Sequence, residues 1–399
     1  DNSNAGTTFT QAGITVTPAA AWSIGVTPLQ GTTAGVSQNV TVTARDVYGN
    51  IATGYTGTLH FASSDAAAVL PSDYTFTTAD AGTHTFAVTF RSSTGQDITI
   101  SDSATPTISY YQRDIYITPD VVNHFAVRSP STSNVVAGTS INLTVTANDV
   151  YGNTVTNYAG TVNLTVSDRQ STFPVRYTFD PSEGGVHIFS GILKTAGDQS
   201  VTFTDAADAG ISGSVTGITV NAAAVSRFAI STNMNATAGT AQSVTVRSTD
   251  EFGNAVDSYA GTVAFSSSDA AATLPVGFTF GNKDKGVATF NVTFRTAGIQ
   301  TLTVADPGHG FASTLKDIVV TPSQAKVTAF AVSGMATPTA GTAGSFTVVA
   351  RDASGNVVSG FRGTVSFSSS DVMSRDRLAS KAERNCNSAS AHCPASKLS

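Results

Sequence analysis

A five-residue turn motif recurs along the chain, and its spacing constrains the fold more than any other feature of the sequence. Asp46-Val47-Tyr48-Gly49-Asn50 reappears in related form at 149–153, 250–254 and 352–356, about 100 residues apart each time. A fixed period indicates a tandem array of one module rather than a single large domain. A chain of 399 residues has room for about three or four such modules.

Within each module, the sequence between the turns alternates as β-strands do. Val40, Val42 and Ala44 are separated by threonines, which places the apolar side chains on one face of a strand and the hydroxyls on the other. Further turn residues recur in phase, at Asp65 and Asp102 and at their copies in the next two modules. About seven short strands per module, with no helical stretch, predict an antiparallel sandwich.

The predicted fold class is all-β, with tandem immunoglobulin-like antiparallel β-sandwiches in an elongated rod. Complete repeats are expected over 21–121, 122–225 and 226–325. A truncated repeat is expected over 326–371, where the pattern stops. Residues 1–20 match the last strand of a preceding repeat, and residues 372–399 leave the pattern altogether. We expect that tail to be disordered, or to derive from a frameshift or an artificial extension.

The strand Val40–Ala44, the Asp-x-x-Gly-Asn turn and the following Gly57-Thr58 resemble the bacterial Ig-like repeats of large surface proteins, of the invasin and intimin type. This resemblance covers about residues 1–371. It implies an extracellular rod or stalk on a bacterial surface, sometimes with an adhesive tip, and it brings no catalytic residues with it.

Composition excludes several classes of partner. Charged residues make up only 12% of the chain and the net charge is −6, so a basic footprint for nucleic acid is missing. No apolar run approaches the length of a membrane-spanning helix, and membrane insertion is not expected. The expected partners are neighbouring repeats of the same parent protein and a glycan or protein ligand. The incomplete terminal repeats also predict head-to-tail self-association, because exposed strand edges pair with other chains.

Calcium is the candidate metal, and no other cofactor is expected. Asp46, Asn50, Asp65 and Asp102 lie in loops and offer the hard oxygen atoms that calcium prefers. The same residues also suit the capping of turns, because Asp and Asn side chains accept hydrogen bonds from the backbone nearby. Turn capping is the favoured reading, since the linkers between repeats lack the several acids of a calcium-clamped joint.

The candidate ligand contact is Tyr110, Tyr111 and Arg113, in a segment that the other repeats do not share. Tyrosine and arginine are typical anchors of protein interfaces. A local decoration of a strand edge is the alternative explanation.

The sequence thus predicts an extracellular structural or adhesive repeat segment, acting as a spacer or binding rod of a bacterial surface protein. One alternative is a carbohydrate- or protein-binding module with its site on a single repeat. Another is a hydrolase for esters, lactones or glycosides with an unconventional site at a crevice between repeats. No nucleophile elbow, zinc motif or phosphate-binding loop supports an enzyme, and no catalytic residue is predicted.

Overall fold

The computed structural model describes residues 10–130, 134–322, 326–334, 346–353, 355, 357–358 and 361–367. The chain divides into two units, Asp1–Asn221 and Ala222–Ser399. The first unit contains two copies of one β-sandwich, and the second contains a third copy followed by one further pair of strands. The prediction of tandem all-β sandwiches is confirmed.

Each copy has eight strands. The first copy contains β1 (Ser23–Val26), β2 (Thr32–Thr33), β3 (Ser37–Arg45), β4 (Thr58–Ser63), β5 (Tyr74–Thr75), β6 (Thr83–Thr89), β7 (Thr94–Asp102) and β8 (Ser109–Thr118). The second contains β9 (His124–Arg128), β10 (Val135–Val136), β11 (Ser140–Asn148), β12 (Thr161–Val166), β13 (Arg176–Thr178), β14 (Val186–Ile192), β15 (Gly197–Asp205) and β16 (Ser212–Asn221).

The third copy contains β17 (Arg227–Thr232), β18 (Asn235–Thr237), β19 (Ala241–Thr249), β20 (Thr262–Ser267), β21 (Phe278–Thr279), β22 (Val287–Thr293), β23 (Gly298–Asp306) and β24 (Phe311–Thr321). A hairpin of β25 (Ala329–Ser333) and β26 (Thr347–Arg351) follows. The helical segments among the described residues are three single 3₁₀ turns, at Thr78–Asp80, Pro181–Glu183 and Asn282–Asp284.

Each sandwich packs a three-stranded sheet on a five-stranded sheet. In the first copy the sheets have the orders β1-β3-β6 and β2-β8-β7-β4-β5, and the other two copies repeat both orders. All pairings are antiparallel except those of β2 with β8, β10 with β16, and β18 with β24.

Each repeat has eight strands and not the predicted seven, because a short extra strand, β2 in the first repeat, lies between β1 and β3. β1 pairs with β3 in one sheet, whereas β2 pairs with β8 in the other. Pro28 lies between them and has no N–H to donate to a ladder, so the pairing stops there. The third copy has no proline at this point and turns at Asn233, whose side chain accepts the Asn235 N–H.

The predicted alternation is confirmed in the core. Val40, Val42 and Ala44 are completely buried, whereas Thr41 and Thr43 between them are not. Burying a valine side chain stabilises the fold by about 1.5–3 kcal/mol relative to leaving it exposed, so these layers hold each sandwich together without disulfides.

The predicted end segments are described only in part. Residues 1–9 lie outside the described part of the chain, and residues 10–18 run without a strand. Of the predicted truncated repeat, the hairpin of β25 and β26 and a few flanking residues are described. The predicted tail at 372–399 lies outside the described residues.

Candidate functional site

The recurrent Asp-x-x-Gly-Asn turn connects each repeat to the segment that leads into it. In the second repeat, Asp149 Oδ1 accepts the N–H groups of Tyr151 (2.9 Å) and Asn153 (2.8 Å). Asp149 Oδ2 accepts Asn153 Nδ2 (2.8 Å) and the N–H of Asp120 in the linker (3.0 Å). Gly152 takes a φ of +88°, which the turn requires and which other residues adopt with strain. The carboxylate therefore fixes both the turn and the linker.

The first and third repeats build the same arrangement. Asp46 Oδ2 accepts the N–H of Ala19 at 3.0 Å, and Asp250 Oδ2 accepts the N–H of Ala223 at 2.9 Å. Burial by itself would raise the pKa of Asp149, but the hydrogen bonds from Asn153, Asp120 and Tyr151 outweigh burial and hold that pKa below its ordinary value. The ionised carboxylate is thus the form that the fold selects.

The asparagine of the same turn forms hydrogen bonds with the preceding repeat. Asn153 Nδ2 donates to the backbone carbonyl of Arg91 at 2.7 Å, and Asn153 Oδ1 accepts the N–H of Ser93 at 2.8 Å. One side-chain amide therefore makes two opposed hydrogen bonds to the loop between β6 and β7 of the first repeat. We call this contact, with Tyr151, the first joint.

Tyr151 adds a packed contact to the first joint. The guanidinium carbon of Arg91 lies 5.6 Å from the centroid of the Tyr151 ring, within the range of a cation–π interaction. The ring also lies close to Gly35, where an added Cβ would come within 2.1 Å of the tyrosine oxygen. Tyr151 is 40% exposed, whereas Tyr48, the same residue in the first turn, is 82% exposed. The difference shows how much of the ring the joint covers.

A second recurrent aspartate shapes the loop that Asn153 grips. Asp65 Oδ2 accepts the N–H groups of Arg91 (2.6 Å) and Ser92 (2.9 Å), and Oδ1 accepts the Ser92 hydroxyl (2.6 Å). Asp168 and Asp269 bind the equivalent loops in the same way. Asp65 of the first repeat and Asp149 of the second therefore both shape segments that take part in the first joint.

The four residues predicted to bind calcium are not brought together as a ligand set. Asp46, Asn50 and Asp65 act in the turns just described. Asp102 accepts the N–H groups of Ala104 (2.9 Å) and Thr105 (2.7 Å) with one oxygen, and the Tyr55 hydroxyl with the other. Within the described ranges, no group of three or more His, Cys, Asp or Glu side chains is placed to hold a metal ion.

The predicted ligand contact is divided between two faces of β8. Tyr110 packs on the hydrophobic core, so it does not join the other two residues. Tyr111 and Arg113 lie on the outer face, with the guanidinium carbon 4.8 Å from the ring centroid. The Tyr111 hydroxyl donates to Asp97 Oδ2 at 2.5 Å, so Asp97 joins these two residues on the surface. Tyr116, which the sequence analysis did not single out, is 66% exposed on the same strand.

Two recurrent side-chain pairs were missed by the sequence analysis. The hydroxyls of Tyr55, Tyr158 and Tyr259 donate to the buried carboxylates of Asp102, Asp205 and Asp306. In the first two repeats a histidine also stacks on a tyrosine, and both bind one acid: His84 with Tyr74 and Asp80, and His187 with Tyr177 and Glu183.

Burial, reinforced by the Glu183 carboxylate, raises the pKa of Tyr177 to about 12. The recurrence of these tyrosines in phase with the period was the available signal for both pairs.

No helix among the described residues is long and apolar enough to cross a membrane. No family model and no curated protein matches the sequence.

Among solved structures, the chain is similar to FdeC, an Escherichia coli adhesin, with 16% identity over 75% of this chain and 96% of that chain and a TM-score of 0.35. Invasin, a bacterial integrin-binding protein, gives 13% identity over 84% of this chain and 77% of that chain, with a TM-score of 0.32. Domains 5–6 of the S-layer protein SbsC give 19% identity over 51% and 99%, with a TM-score of 0.19. Likeness at this level carries no residue role, ligand or partner over to this chain.

Proposed function

We propose that this chain, whose repeats resemble bacterial Ig-like modules, is an extracellular structural or adhesive segment of a bacterial surface protein. Its repeats serve as a spacer, and the turn of the second repeat holds that repeat in a defined orientation relative to the first. The observation that carries this proposal is the first joint, where Asn153 makes two hydrogen bonds to the loop of the preceding repeat. A flexible tether would not need a side chain that satisfies a donor and an acceptor of its neighbour at once.

The energetics favour a stiff joint. Two neutral hydrogen bonds contribute about 0.5–1.5 kcal/mol each, and the cation–π contact of Arg91 with Tyr151 adds about 0.5–1 kcal/mol. The linker is also bound, through Asp120 and Asp149, so little free chain remains between the repeats. Orientation is therefore set by several weak contacts that act together, as a spacer requires.

A spin-label distance measurement on the full chain tests this proposal. Cys386 and Cys393 are replaced by serine, and labels are attached to cysteines introduced at the exposed strand positions Ala87 and Ile188. We expect a narrow distance distribution in the labelled chain that carries no further substitution. Asn153→Ala should broaden it, because both hydrogen bonds to the first repeat are lost.

Asn50→Ala is the matched control. Asn50 has the same place in the turn of the first repeat and also donates to its aspartate, Asp46, at 3.0 Å, but it is not part of the first joint. We expect this variant to leave the distribution narrow. A broad distance distribution in the labelled chain without further substitution, or equal broadening by both variants, would contradict the spacer proposal.

A second candidate function is ligand binding at the outer face of β8. Tyr111 and Tyr116 are 48% and 66% exposed there, and Arg113 adds a cation, so the face combines the residue types that anchor protein interfaces. The ligand would be a glycan or a protein. A glycan array and a panel of host surface proteins would test this, with Tyr111→Ala expected to remove binding. Equal binding by the unsubstituted chain and by this variant would exclude this face of β8 as the ligand site.

A further inference from the structure

In each complete repeat, one parallel strand pair joins a strand near the point where the chain enters the repeat to the last strand before the chain leaves it. Thr32 and Thr33 of β2 pair with Ile117 and Thr118 of β8, and the Ala34 N–H donates to the Thr118 carbonyl at 2.9 Å. β10 with β16 and β18 with β24 pair in the same way. In each case the early strand follows the entry point and the late strand precedes the exit point.

Parallel pairing determines how such a repeat responds to tension. Pulling the entry point draws β2 towards its own N-terminus, while pulling the exit point draws β8 towards its own C-terminus. For parallel neighbours these directions are opposite along the strands, and the hydrogen bonds between them are sheared together. An antiparallel pair loaded at the same two positions would be unzipped one bond at a time. The topology therefore suits a module that bears load.

The first repeat has an additional connection across this pair. Gln112 on β8 accepts the Leu29 N–H with Oε1 at 3.0 Å and donates from Nε2 to the Leu29 carbonyl at 2.7 Å. Leu29 is buried and lies between β1 and β2. Tension applied at the entry point reaches this stretch once β1 has separated from β3. We call these two hydrogen bonds the Gln112 tie.

The tie belongs to the first repeat. The positions that pair in the same register on β16 and β24 are Val215, opposite Val201, and Leu315, opposite Leu302. An apolar side chain at this position cannot bridge a backbone N–H and carbonyl. Part of the non-repeated segment around Tyr110–Arg113 is thereby explained as a reinforcement of the fold.

We propose that the Gln112 tie, added to this shared strand topology, gives the first repeat greater resistance to forced unfolding than the second and third repeats have. This inference rests on the proposed spacer function, because only a spacer held at both ends is put under load. It concerns the strength of a single repeat, whereas the first joint concerns the orientation of two repeats.

Single-molecule pulling on the full chain, held by tags at its two ends, tests the inference. Each complete repeat releases about 300 Å of chain when about 100 residues extend at about 3.3–3.6 Å each, so three similar unfolding events are expected. The variant is Gln112→Val, which introduces the residue that the second repeat carries at this position. Because Val215 and Leu315 are accommodated there, the variant should fold, and circular dichroism checks that it does.

The expected result is faster unfolding of one event out of three at constant force, by about thirtyfold. That factor corresponds to about 2 kcal/mol at 1.36 kcal/mol per tenfold, the contribution of two ordinary hydrogen bonds broken before the barrier. The other two events should keep their rates. Forced unfolding is governed by the unfolding rate, so this readout does not simply repeat an equilibrium measurement.

Tyr74→Phe is the control off the loaded path. It removes the hydroxyl that donates to Asp80 at 3.0 Å, on β5, the edge strand farthest from β2 in the sheet. We expect it to lower the urea midpoint and to leave all three unfolding rates under force unchanged. Unchanged rates for Gln112→Val, or an equal acceleration by Tyr74→Phe, would overturn the inference.

The outcomes also separate this inference from the spacer proposal. A flexible first joint would appear as a broad spin-label distribution, whatever the unfolding rates are. A narrow distribution combined with unfolding rates that do not respond to Gln112→Val would refute the tie and leave the spacer standing.

Discussion

The buried tyrosine–aspartate pair of each repeat allows a quantitative test of what holds the sandwich closed. In the first repeat, the Tyr55 hydroxyl donates to Asp102 Oδ2 at 2.5 Å. Both residues are buried, with 8% and 4% of their surfaces exposed. The pair joins the segment before β4 to the end of β7, which are 47 residues apart in the chain. The perturbation is Tyr55→Phe, which removes the hydroxyl and keeps the ring.

The expected cost follows from the state of the two groups. Burial, the hydrogen bond to Asp102 and its negative charge raise the pKa of Tyr55 well above the ordinary value, so the tyrosine is the donor and the aspartate is ionised. A hydrogen bond to a charged group contributes about 1.5–3 kcal/mol. Asp102 keeps its two backbone donors, Ala104 and Thr105, so we expect a loss near the lower half of that range, about 2 kcal/mol.

Hydrogen exchange read by mass spectrometry is the suitable assay, because it resolves the repeats separately. The strands of the first repeat should exchange about thirtyfold faster in Tyr55→Phe, since 1.4 kcal/mol corresponds to a factor of ten. The third repeat should be unaffected, because stability in a repeat protein is nearly a sum of local contributions. Phe361 stands one period after Tyr259, at the equivalent position, so the chain itself contains the substituted form.

Tyr116→Phe is the matched control, because it is the same substitution in the same repeat at an exposed position. We expect it to change stability by less than about 0.5 kcal/mol. If both variants accelerate exchange equally, or if neither does, the buried pair does not close the sandwich and the reasoning fails.

Three further predictions follow from the same contacts. First, the folded-state pKa values of Asp65 and Asp149 are lowered, so the stability that these carboxylates contribute is present above the ordinary carboxyl pKa of 3.8 and is lost as pH falls through the folded-state values. The urea midpoint should therefore drop steeply only in that acid range, and a midpoint independent of pH would contradict this prediction. Second, the oxygen atoms predicted to bind calcium already accept protein hydrogen bonds, so we expect equal melting temperatures in calcium and in chelator. A melting temperature that rises with calcium would support a calcium site. Third, the predicted head-to-tail self-association should appear as a mass that increases with concentration in size-exclusion chromatography with light scattering, whereas a constant monomer mass would exclude it.

Part of the candidate site can be predicted from local sequence. The spacing of Asp46 and its copies predicts turn-capping residues, and the hydrogen bonds that Asp46 accepts from the backbone two and four residues on have the form that a capped turn requires. Their bonds to the linker, at Ala19, Asp120 and Ala223, were not predicted, because the linker residues share no side chain that identifies them. The contact uses only their backbone N–H.

The non-repeated segment on β8 shows the opposite limit. Its tyrosines and arginine were singled out by type, but which of them faces outward depends on the pleat. β8 has a register irregularity opposite Gln96–Ile98, which changes the local alternation. Tyr110 therefore packs inward and Tyr111 outward, and Gln112, which the sequence analysis did not weigh, makes the connection to Leu29.

The β class, the repeated module and the buried face of its strands follow from local sequence, because these features depend on periods of two residues and on turn residues with particular backbone preferences. Which of these residues come into contact depends on how the sheets and repeats pack. Asn153 reaches the Arg91 carbonyl across 62 residues, and Gln112 reaches Leu29 across 83. Hydrogen bonds over such separations depend on how the sheets pack, and their partners are backbone groups that nearly every residue carries. No local pattern encodes them, and the joint and the tie therefore arise from the fold as a whole.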